Sequence, residues 1–418
     1  MSSARFSLRN LRAEIRSTDG WDYGVDFSKP LDLYIEEAES IIKDPLAALQ
    51  DFNFFENGKR AVYSYSSYPT VLSLRVLSSY LKRRYNLQSE TREAITRGLI
   101  QALSDSSEMH ILRRDISSFY ESLPTEPLVE GLLYTDVLDP RARRMLEAFF
   151  EVHCLGSVGL PRGLGLSATL SEFIMKPVDS AIRLLPGVYR YHRFVDDIVV
   201  LCTDPSVVSP KISTVLPSPL RLNDRKSEDV SLTRPAGDLK LKSRFEYLGY
   251  RYEIDMCHSP SKFRKLRVSI AQRKIDRIRT KIILAARAYI ASQNYAQFRL
   301  RILYLTGNYK FLKKRPIVST GKAVVRSGIY YNYRYCGDYQ GTRVVAHPMS
   351  ELKGLDWFLQ NSILGTRYPL GSAIMAQLNA QQVAALRRLS FAQGHLKIYD
   401  SKVTSDQVKM IKSIWRNV

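Results

Sequence analysis

Cysteine is scarce in this chain. Only four occur among 418 residues, Cys154, Cys202, Cys257 and Cys336, and none belongs to a Cys-x-x-Cys pair. Structural zinc sites and disulfide frameworks need closely spaced cysteines, so the sequence predicts neither. A reducing compartment such as the cytoplasm suits this usage.

Long apolar runs are also missing. No hydrophobic stretch approaches the roughly 20 residues of a membrane span, and the basic N-terminal segment lacks the apolar core of a secretory signal. We therefore expect a soluble, unexported protein that does not enter membranes. No repeat, low-complexity linker, nuclease motif or zinc module is evident.

Acidic residues are too few to balance the basic ones. The 41 Asp and Glu face 62 Lys and Arg, which gives a net charge of +21 and a pI near 9.7. This excess favours a surface that binds nucleic acid, and the alternatives are contact with acidic lipid or a merely basic soluble protein. With 45% hydrophobic residues the chain has a globular composition, and it is long enough for two or three domains.

The most informative feature that is present is a pair of adjacent carboxylates, Asp196 and Asp197, at the turn of an apolar hairpin predicted over residues 190–201. Two like charges buried together need a compensating cation, although an isolated Asp pair more often marks a solvated turn. A third carboxylate, Asp115, ends a strand predicted over Met109–Asp115. Together the three suit two Mg²⁺ ions and in-line displacement at phosphorus.

Five sequence blocks, taken in order, resemble the successive palm motifs of reverse transcriptases. Each block is weak alone, and their order carries the resemblance over about residues 55–255; a coincidental α/β domain is the alternative. The blocks are Asp115-Ile-Ser-Ser-Phe-Tyr120, Gly159-Leu-Pro-Arg-Gly-Leu-Gly-Leu-Ser167, Phe194-Val-Asp-Asp197, Leu222-Asn-Asp-Arg-Lys-Ser227 and Phe245-Glu-Tyr-Leu-Gly-Tyr250.

Further segments resemble bacterial antiviral, defence-associated reverse transcriptases, most of all the A subunits of the type 3 group. These are Arg92 to Tyr120, Leu305-Thr-Gly-Asn-Tyr309 and Ser327-Gly-Ile-Tyr-Tyr-Asn-Tyr333. The resemblance implies a cytoplasmic RNA-directed DNA polymerase of antiphage defence. It would copy a partner noncoding RNA, as template or scaffold, into DNA from deoxynucleoside triphosphates, in a hetero-oligomer with a second reverse transcriptase subunit.

The implied fold is α+β, a right-hand polymerase. Residues 1–54 would form an N-terminal helical extension, and residues 55–258 the fingers and a palm whose antiparallel sheet is backed by helices. Residues 259–418 would form a basic α-helical thumb and a C-terminal helical region. We expect the strands near residues 240–256 to complete the same sheet as the hairpin over 190–201.

The resemblance also assigns the catalytic centre. Asp115, Asp196, Asp197 and Lys226 would be catalytic, and Asp115, Ile116, Asp196 and Asp197 would form the site for two Mg²⁺ ions, with Mn²⁺ as a substitute. In this assignment the lysine neutralises or protonates the departing pyrophosphate, and an ordinary surface lysine is the alternative.

A second group of residues would contact the nucleotide: Phe119, Tyr120, Arg162, Gly163 and Arg60. The family places an aromatic ring at position 120 against the sugar, which hinders a 2′-hydroxyl and favours DNA synthesis; a core tyrosine is the alternative. Gly163 lacks a Cβ and so would let the backbone of its loop approach the nucleotide and the template closely. Arg162 stands where glutamine is usual, and Arg60 is equally compatible with an ordinary surface charge.

Two groups remain for nucleic acid. Leu248 and Gly249 resemble the primer-grip turn, which a generic strand turn would imitate. On a predicted helix, one face carries Arg273, Arg277 and Lys281, which would follow a duplex backbone unless that face is merely solvated.

Two other functions stay open. One is template-independent or protein-primed DNA synthesis by the same palm, and the other is a non-catalytic RNA-binding scaffold.

Overall fold

The computed structural model describes residues 6–16, 19–26, 30–58, 60–135, 137–154, 159–233, 242–255, 263–313, 323–347, 349–396, 400–401 and 405–415. The chain divides into two compact units. The first comprises Met1–Ile95, Glu108–Thr233 and Lys314–Gly321, and the second comprises Thr96–Ser107, Arg234–Lys313 and Lys322–Val418.

No helix in the described ranges is long and apolar enough to cross a membrane. Cys154, Cys202 and Cys336 are free thiols, and Cys257 lies outside the described residues.

Capping side chains and prolines mark where some helices of the first unit begin. Helix α5, for example, starts after Ser67, whose hydroxyl accepts a hydrogen bond from the Thr70 amide at 3.4 Å, and has Pro69 in its first turn. Helix α6 contributes residues to both units. The helices are α1 (Leu8–Glu14), α2 (Asp19–Asp22), α3 (Asp32–Lys43), α4 (Leu46–Gln50), α5 (Tyr68–Arg84), α6 (Arg92–Leu103), α7 (Glu126–Val129), α8 (Pro140–Cys154), α9 (Gly165–Arg183) and α10 (Pro205–Thr214).

The first unit holds two antiparallel sheets. Strands β1 (Asn53–Asn57) and β2 (Arg60–Ser64) form a hairpin. The larger sheet has the order β4-β5-β3-β6, with every pair antiparallel. Its strands are β3 (Met109–Asp115), β4 (Val188–Phe194), β5 (Asp197–Cys202) and β6 (Glu228–Leu232).

The apolar run of β5 explains its central position. Ile198, Val199, Val200, Leu201 and Cys202 are all fully buried, as expected of a strand covered on both faces. Helices pack against this sheet, with α9 against β4 and α10 against β3. The predictions of a strand ending at Asp115 and of a hairpin over 190–201 are confirmed.

One predicted strand pairing is wrong. The strands near residues 240–256 do not join the sheet that carries the hairpin, because β6 already pairs along the outer edge of β3, from Met109↔Leu232 to Arg113↔Glu228. Those later strands, β7 (Lys242–Tyr247) and β8 (Tyr250–Asp255), pair with each other in the second unit.

The second unit is also mixed, so the helical region predicted after residue 258 contains strands as well as helices. Strand β9 (Lys265–Ile270) alternates exposed Lys265 and Arg267 with buried Leu266 and Val268, which is the period of a strand. It joins a five-stranded sheet of order β13-β12-β9-β8-β7, and a three-stranded sheet has the order β11-β10-β14. The remaining strands are β10 (Asn308–Lys313), β11 (Ala323–Gly328), β12 (Gly337–Gln340), β13 (Arg343–Ala346) and β14 (Asp400–Ser401).

Helices make up most of the rest of the second unit. Helix α11 is amphipathic as predicted, with Ile275, Ile282, Ala285 and Tyr289 buried. The helices are α11 (Gln272–Ser292), α12 (Tyr295–Thr306), α13 (Ile329–Tyr333), α14 (Ser350–Trp357), α15 (Pro369–Met375), α16 (Ala380–Arg387), α17 (Phe391–Leu396) and α18 (Ser405–Lys412).

The α+β class is therefore confirmed, with antiparallel sheets in both units. A right-hand polymerase layout, and domain boundaries after residues 54 and 258, remain predictions.

Candidate active site

The three carboxylates predicted from the sequence converge at one end of the larger sheet of the first unit. Strands β3 and β5 pair so that Asp115 lies directly opposite Asp197, which places both side chains on the same face. The backbone N–H of Ile116 donates to the carbonyl oxygen of Asp196 at 2.9 Å. The end of β3 is therefore joined to the tip of the β4–β5 hairpin, and the negative charges of the three side chains are brought together.

Two of these carboxylates have cationic partners. The Lys226 Nζ atom lies 3.0 Å from both carboxylate oxygens of Asp115. Arg113 donates to Asp197 through two parallel hydrogen bonds, of 3.1 Å from Nε and 3.0 Å from a terminal nitrogen. Asn223 adds a 3.3 Å hydrogen bond to Asp115. These contacts compensate two like charges that would otherwise oppose each other across the strands.

The third carboxylate, Asp196, sits in a less favourable environment for charge. Burial raises the pKa of Asp196, and the charge of Asp115 raises it further, against the opposing influence of a backbone hydrogen bond and of Lys226 and Arg162. Burial likewise raises the pKa of Asp197, although Arg113 works in the other direction. Buried carboxylates with raised pKa values are typical of functional sites.

The backbone at the hairpin tip is strained. Val195, immediately before Asp196, has a φ of +60°, and such a conformation is a true outlier for a β-branched residue. Arg193 stabilises it by donating a 3.0 Å hydrogen bond to the Val195 carbonyl oxygen. The position of the Asp196 side chain thus depends on contacts behind the tip.

Those contacts form a buried ionic network that sequence reasoning missed. The Arg193 side chain is 4% exposed and pairs at 2.7 Å with both Glu172 and Asp179 of α9. Tyr191 donates to Asp179 at 2.6 Å. One signal was available, because Glu172 and Asp179 are seven residues apart and so share a face of the predicted helix.

Lys226 and Ile116 both lie beside the carboxylates. Lys226 ends a short 3₁₀ turn, Asp224–Lys226, and its side chain is 55% exposed, so it reaches Asp115 from the solvent side. Ile116 is buried, with 1% exposure, and contributes its backbone to the junction of strand and hairpin.

The two aromatic residues after Asp115 have different environments. Phe119 is 1% exposed and packs in the core, so its ring offers no surface to a nucleotide, and we interpret it as a core residue. Tyr120 is partly exposed, with its ring centroid 5.3 Å from that of Phe119. Burial raises the pKa of Tyr120, and the charge of Asp196 adds to the rise, so the ring lies near the carboxylates.

The glycine-rich loop after α8, residues 159–165, packs against β2. The Arg162 carbonyl oxygen accepts a 2.7 Å hydrogen bond from the Tyr63 amide on β2. Gly163, with a φ of +104°, lies so close to the Tyr63 carbonyl that a Cβ would collide with it. In this structure the glycine is needed for close packing against β2, and the approach of a nucleotide to Gly163 stays a prediction.

Arg162 makes an ion pair that sequence reasoning also missed. It donates to Glu121 through two hydrogen bonds, of 2.8 Å and 3.0 Å. Burial opposes ionisation of Glu121, but the hydrogen bonds and charge of Arg162, with a contribution from Arg60, bring the pKa of Glu121 below its ordinary value. Arg60 is exposed on β2, near enough to this pair to influence it. The partners are 41 residues apart, so no local pattern connects them.

The remaining predicted residues belong to the second unit. Leu248 and Gly249 form the turn between β7 and β8, with φ values of +48° and +82°. The Gly249 carbonyl oxygen accepts a 3.1 Å hydrogen bond from Ala271, the residue before α11. The predicted primer-grip turn is thus attached to the helix that carries the predicted nucleic-acid contacts.

On α11 the three predicted cations are accessible to different degrees. Arg273 and Arg277 are exposed, while Lys281 is partly buried, with its Nζ atom 5.5 Å from the ring centroid of Trp415. Burial lowers the pKa of Lys281, and the neighbouring charges of Arg277, Lys412 and Lys274 lower it further. Repulsion among these cations would be relieved by a bound polyanion.

The donor chemistry of the carboxylate cluster suits a divalent cation. Mg²⁺ prefers oxygen ligands, and the charges of buried Asp115 and partly buried Asp196 favour a cation beside them. Side-chain positions are a separate matter: among the described residues, no three His, Cys, Asp or Glu side chains form a group that could hold a metal ion. As the side chains stand, Lys226 and Arg113 supply positive charge to this cluster.

Comparisons of the chain with protein-family models and with curated proteins found no match. A functional assignment therefore depends on the site itself.

Proposed function

We propose that this protein is an RNA-directed DNA polymerase of bacterial antiphage defence. The observation that carries the proposal is the β3–β5 register, which sets Asp115 opposite Asp197 and ties Asp196 to Ile116 through the backbone. Asp115 is buried, Asp196 and Asp197 are partly buried, and a partly exposed tyrosine and an accessible lysine lie near them. Carboxylates that converge from separate segments support two-metal nucleotidyl transfer.

In this proposal Asp115 and Asp196 hold Mg²⁺ through their carboxylate oxygens, while Asp197 stays paired with Arg113 and supports the site. When bound, Mg²⁺ activates the attacking hydroxyl and stabilises the pyrophosphate leaving group. Lys226 is released from Asp115 and neutralises or protonates the pyrophosphate, since its ammonium is accessible.

The proposed substrates follow from Tyr120, called the gate below because its ring would exclude a 2′-hydroxyl, and from the resemblance. Tyr120 hinders a 2′-hydroxyl, which favours deoxynucleoside triphosphates. The resemblance supplies the partners, namely a noncoding RNA that serves as template or scaffold and a second reverse transcriptase subunit in a hetero-oligomer. The net charge of +21 and the exposed cations of α11 support RNA binding.

The test is incorporation of labelled deoxynucleotides by protein purified with its co-purifying RNA. Asp196→Asn should reduce incorporation by about a thousandfold, because an uncharged amide leaves a divalent ion undercompensated, and should leave RNA binding intact. Asp51→Asn, the same change at an exposed residue after α4, is the matched control.

Sequencing the product separates the alternatives. DNA complementary to a segment of the RNA supports the proposal, and DNA unrelated to the RNA would indicate template-independent or protein-primed synthesis. RNA binding with no Mg²⁺-dependent synthesis would indicate a scaffold. Undiminished synthesis by Asp196→Asn would refute the assigned site.

A further inference from the structure

Arg162 is fixed at both its backbone and its side chain. Its carbonyl oxygen is hydrogen-bonded to Tyr63 at 2.7 Å, and its guanidinium makes two parallel hydrogen bonds to Glu121, at 2.8 and 3.0 Å. Paired hydrogen bonds of this kind fix the plane of the guanidinium as well as its position. Arg162 is therefore a rigid element of the site.

The fixed guanidinium lies over the ring of Tyr120, with its central carbon 5.3 Å from the ring centroid. Phe119 packs at the ring with an interplanar angle of 67°, and the hydroxyl of Tyr120 interacts with Ser171 of α9. Tyr120 is thus bracketed by a core ring and by a cation, and the contact with the cation depends on Glu121.

Direct binding of triphosphate by Arg162 is disfavoured by the same contacts. Two of its N–H groups already donate to Glu121, so a phosphate would have to compete with a carboxylate that is in place. The remaining route by which Arg162 can influence the reaction is the ring that it covers.

We propose that Glu121 and Arg162 are positioning residues that form a clamp on Tyr120 and thereby set the preference for deoxynucleotides over ribonucleotides. The inference rests on the proposed polymerase function and deepens it. A ring held in one place excludes a 2′-hydroxyl more strictly than a ring free to tilt away, because steric discrimination fails once the obstructing group can move.

The experiment measures the ratio of kcat/KM for a deoxynucleotide to that for the matching ribonucleotide. Glu121→Gln removes the anionic anchor, and Arg162→Lys keeps the charge but loses the planar fork. Each should lower the ratio by about tenfold, chiefly through better use of ribonucleotide. Glu147→Gln is the matched control, since Glu147 pairs with Arg143 at 2.8 Å on the surface of α8.

Epistasis distinguishes a clamp from a general structural effect. In a Tyr120→Ala background the gate is absent, so adding Glu121→Gln should leave the ratio unchanged. The double variant Glu121→Gln/Arg162→Lys should resemble either single variant, because both break the same contact. A thermal unfolding curve for each variant confirms that it is folded.

The outcomes separate this inference from the proposed function. A wild type that incorporates neither sugar would refute the polymerase and the clamp together. A wild type that polymerises, with ratios unchanged in Glu121→Gln and Arg162→Lys, would overturn the clamp alone. A further fall in the ratio when Glu121→Gln is added to Tyr120→Ala would also overturn it, since the effect would then bypass the ring.

Discussion

The β4–β5 and β7–β8 hairpins both reverse direction through two-residue turns, and they do so in different ways. The turn Val195-Asp196 joins β4 to β5 in the first unit, where Phe194 pairs with Asp197. The turn Leu248-Gly249 joins β7 to β8 in the second unit, where Tyr247 pairs with Tyr250. The topology of the two hairpins is the same, so their differences report on local demands.

The backbones differ in how they meet a requirement for positive φ. The second turn uses φ values of +48° and +82° and has glycine in one of the two positions, as tight hairpins prefer. The first turn places valine at +60°. A β-branched residue in that region persists only where its surroundings over-determine it.

The surroundings of the two turns differ in burial. Arg193 is almost fully buried and joins the Val195 carbonyl to Glu172 and Asp179. Behind the second turn, the pair between Glu246 and Arg251 is partly exposed. The β-branched residue at positive φ therefore lies in the turn that carries a proposed catalytic carboxylate.

The largest expected effect comes from removing the buried cation. Arg193→Gln leaves Glu172 and Asp179 as uncompensated buried charges, so we expect the free energy of unfolding to fall by about 3–5 kcal/mol, measured by urea denaturation. Arg251→Gln at the other hairpin should cost about 1 kcal/mol or less. Equal losses for the two variants would remove the contrast between the hairpins.

Exchanging the turn residues tests the strain directly. Gly249→Val puts a Cβ on a residue at φ +82° and should destabilise the protein by about 2 kcal/mol. Val195→Gly relieves the outlier at a cost in chain entropy, so stability should change by less than about 1 kcal/mol. Incorporation by Val195→Gly should nevertheless fall by about tenfold, because the tip gains freedom. Full activity in that variant would show that the strained backbone does not position Asp196.

Local pattern was enough to predict the elements of the first hairpin. The apolar run of β5 and the strand ending at Asp115 follow from the periodicity of the sequence. The order of the motifs predicted that the three carboxylates lie close together. Strand partners were beyond that reasoning. The alternating pattern in β7 and β8 identifies them as strands but does not specify which sheet they join. In the structure β6, and not β7 or β8, pairs along the edge of β3.

The supporting contacts were unpredictable for a similar reason. Arg193 reaches partners 14 and 21 residues away, and Glu121 reaches Arg162 across 41 residues. Such pairs form because the fold brings two segments together, and single-sequence spacing does not record that. Phe119 shows the converse, since its motif suggested a ligand contact while tertiary packing placed it in the core.

The smallest expected effect concerns pH, and its sign differs between Asp196 and Glu121. The pKa of Asp196 is raised on folding, so its charge costs folding free energy at neutral pH. That cost begins to fall as pH drops through the folded pKa and is gone below the lower, unfolded pKa. The pKa of Glu121 is lowered, so its charge contributes stability above the unfolded pKa that is lost as pH falls through the folded pKa.

Asp196→Asn should therefore stabilise the protein at pH 7 by up to about 1 kcal/mol while abolishing incorporation. Glu121→Gln should destabilise it by a fraction of a kcal/mol, since that ion pair is partly exposed. Both differences should shrink toward zero when denaturation is repeated at acidic pH, where the carboxyl groups are protonated in both states. If Asp196→Asn were instead less stable than wild type at pH 7, the charge of Asp196 would be stabilising the folded state. The free-energy cost assigned to that charge at the hairpin tip would then be wrong.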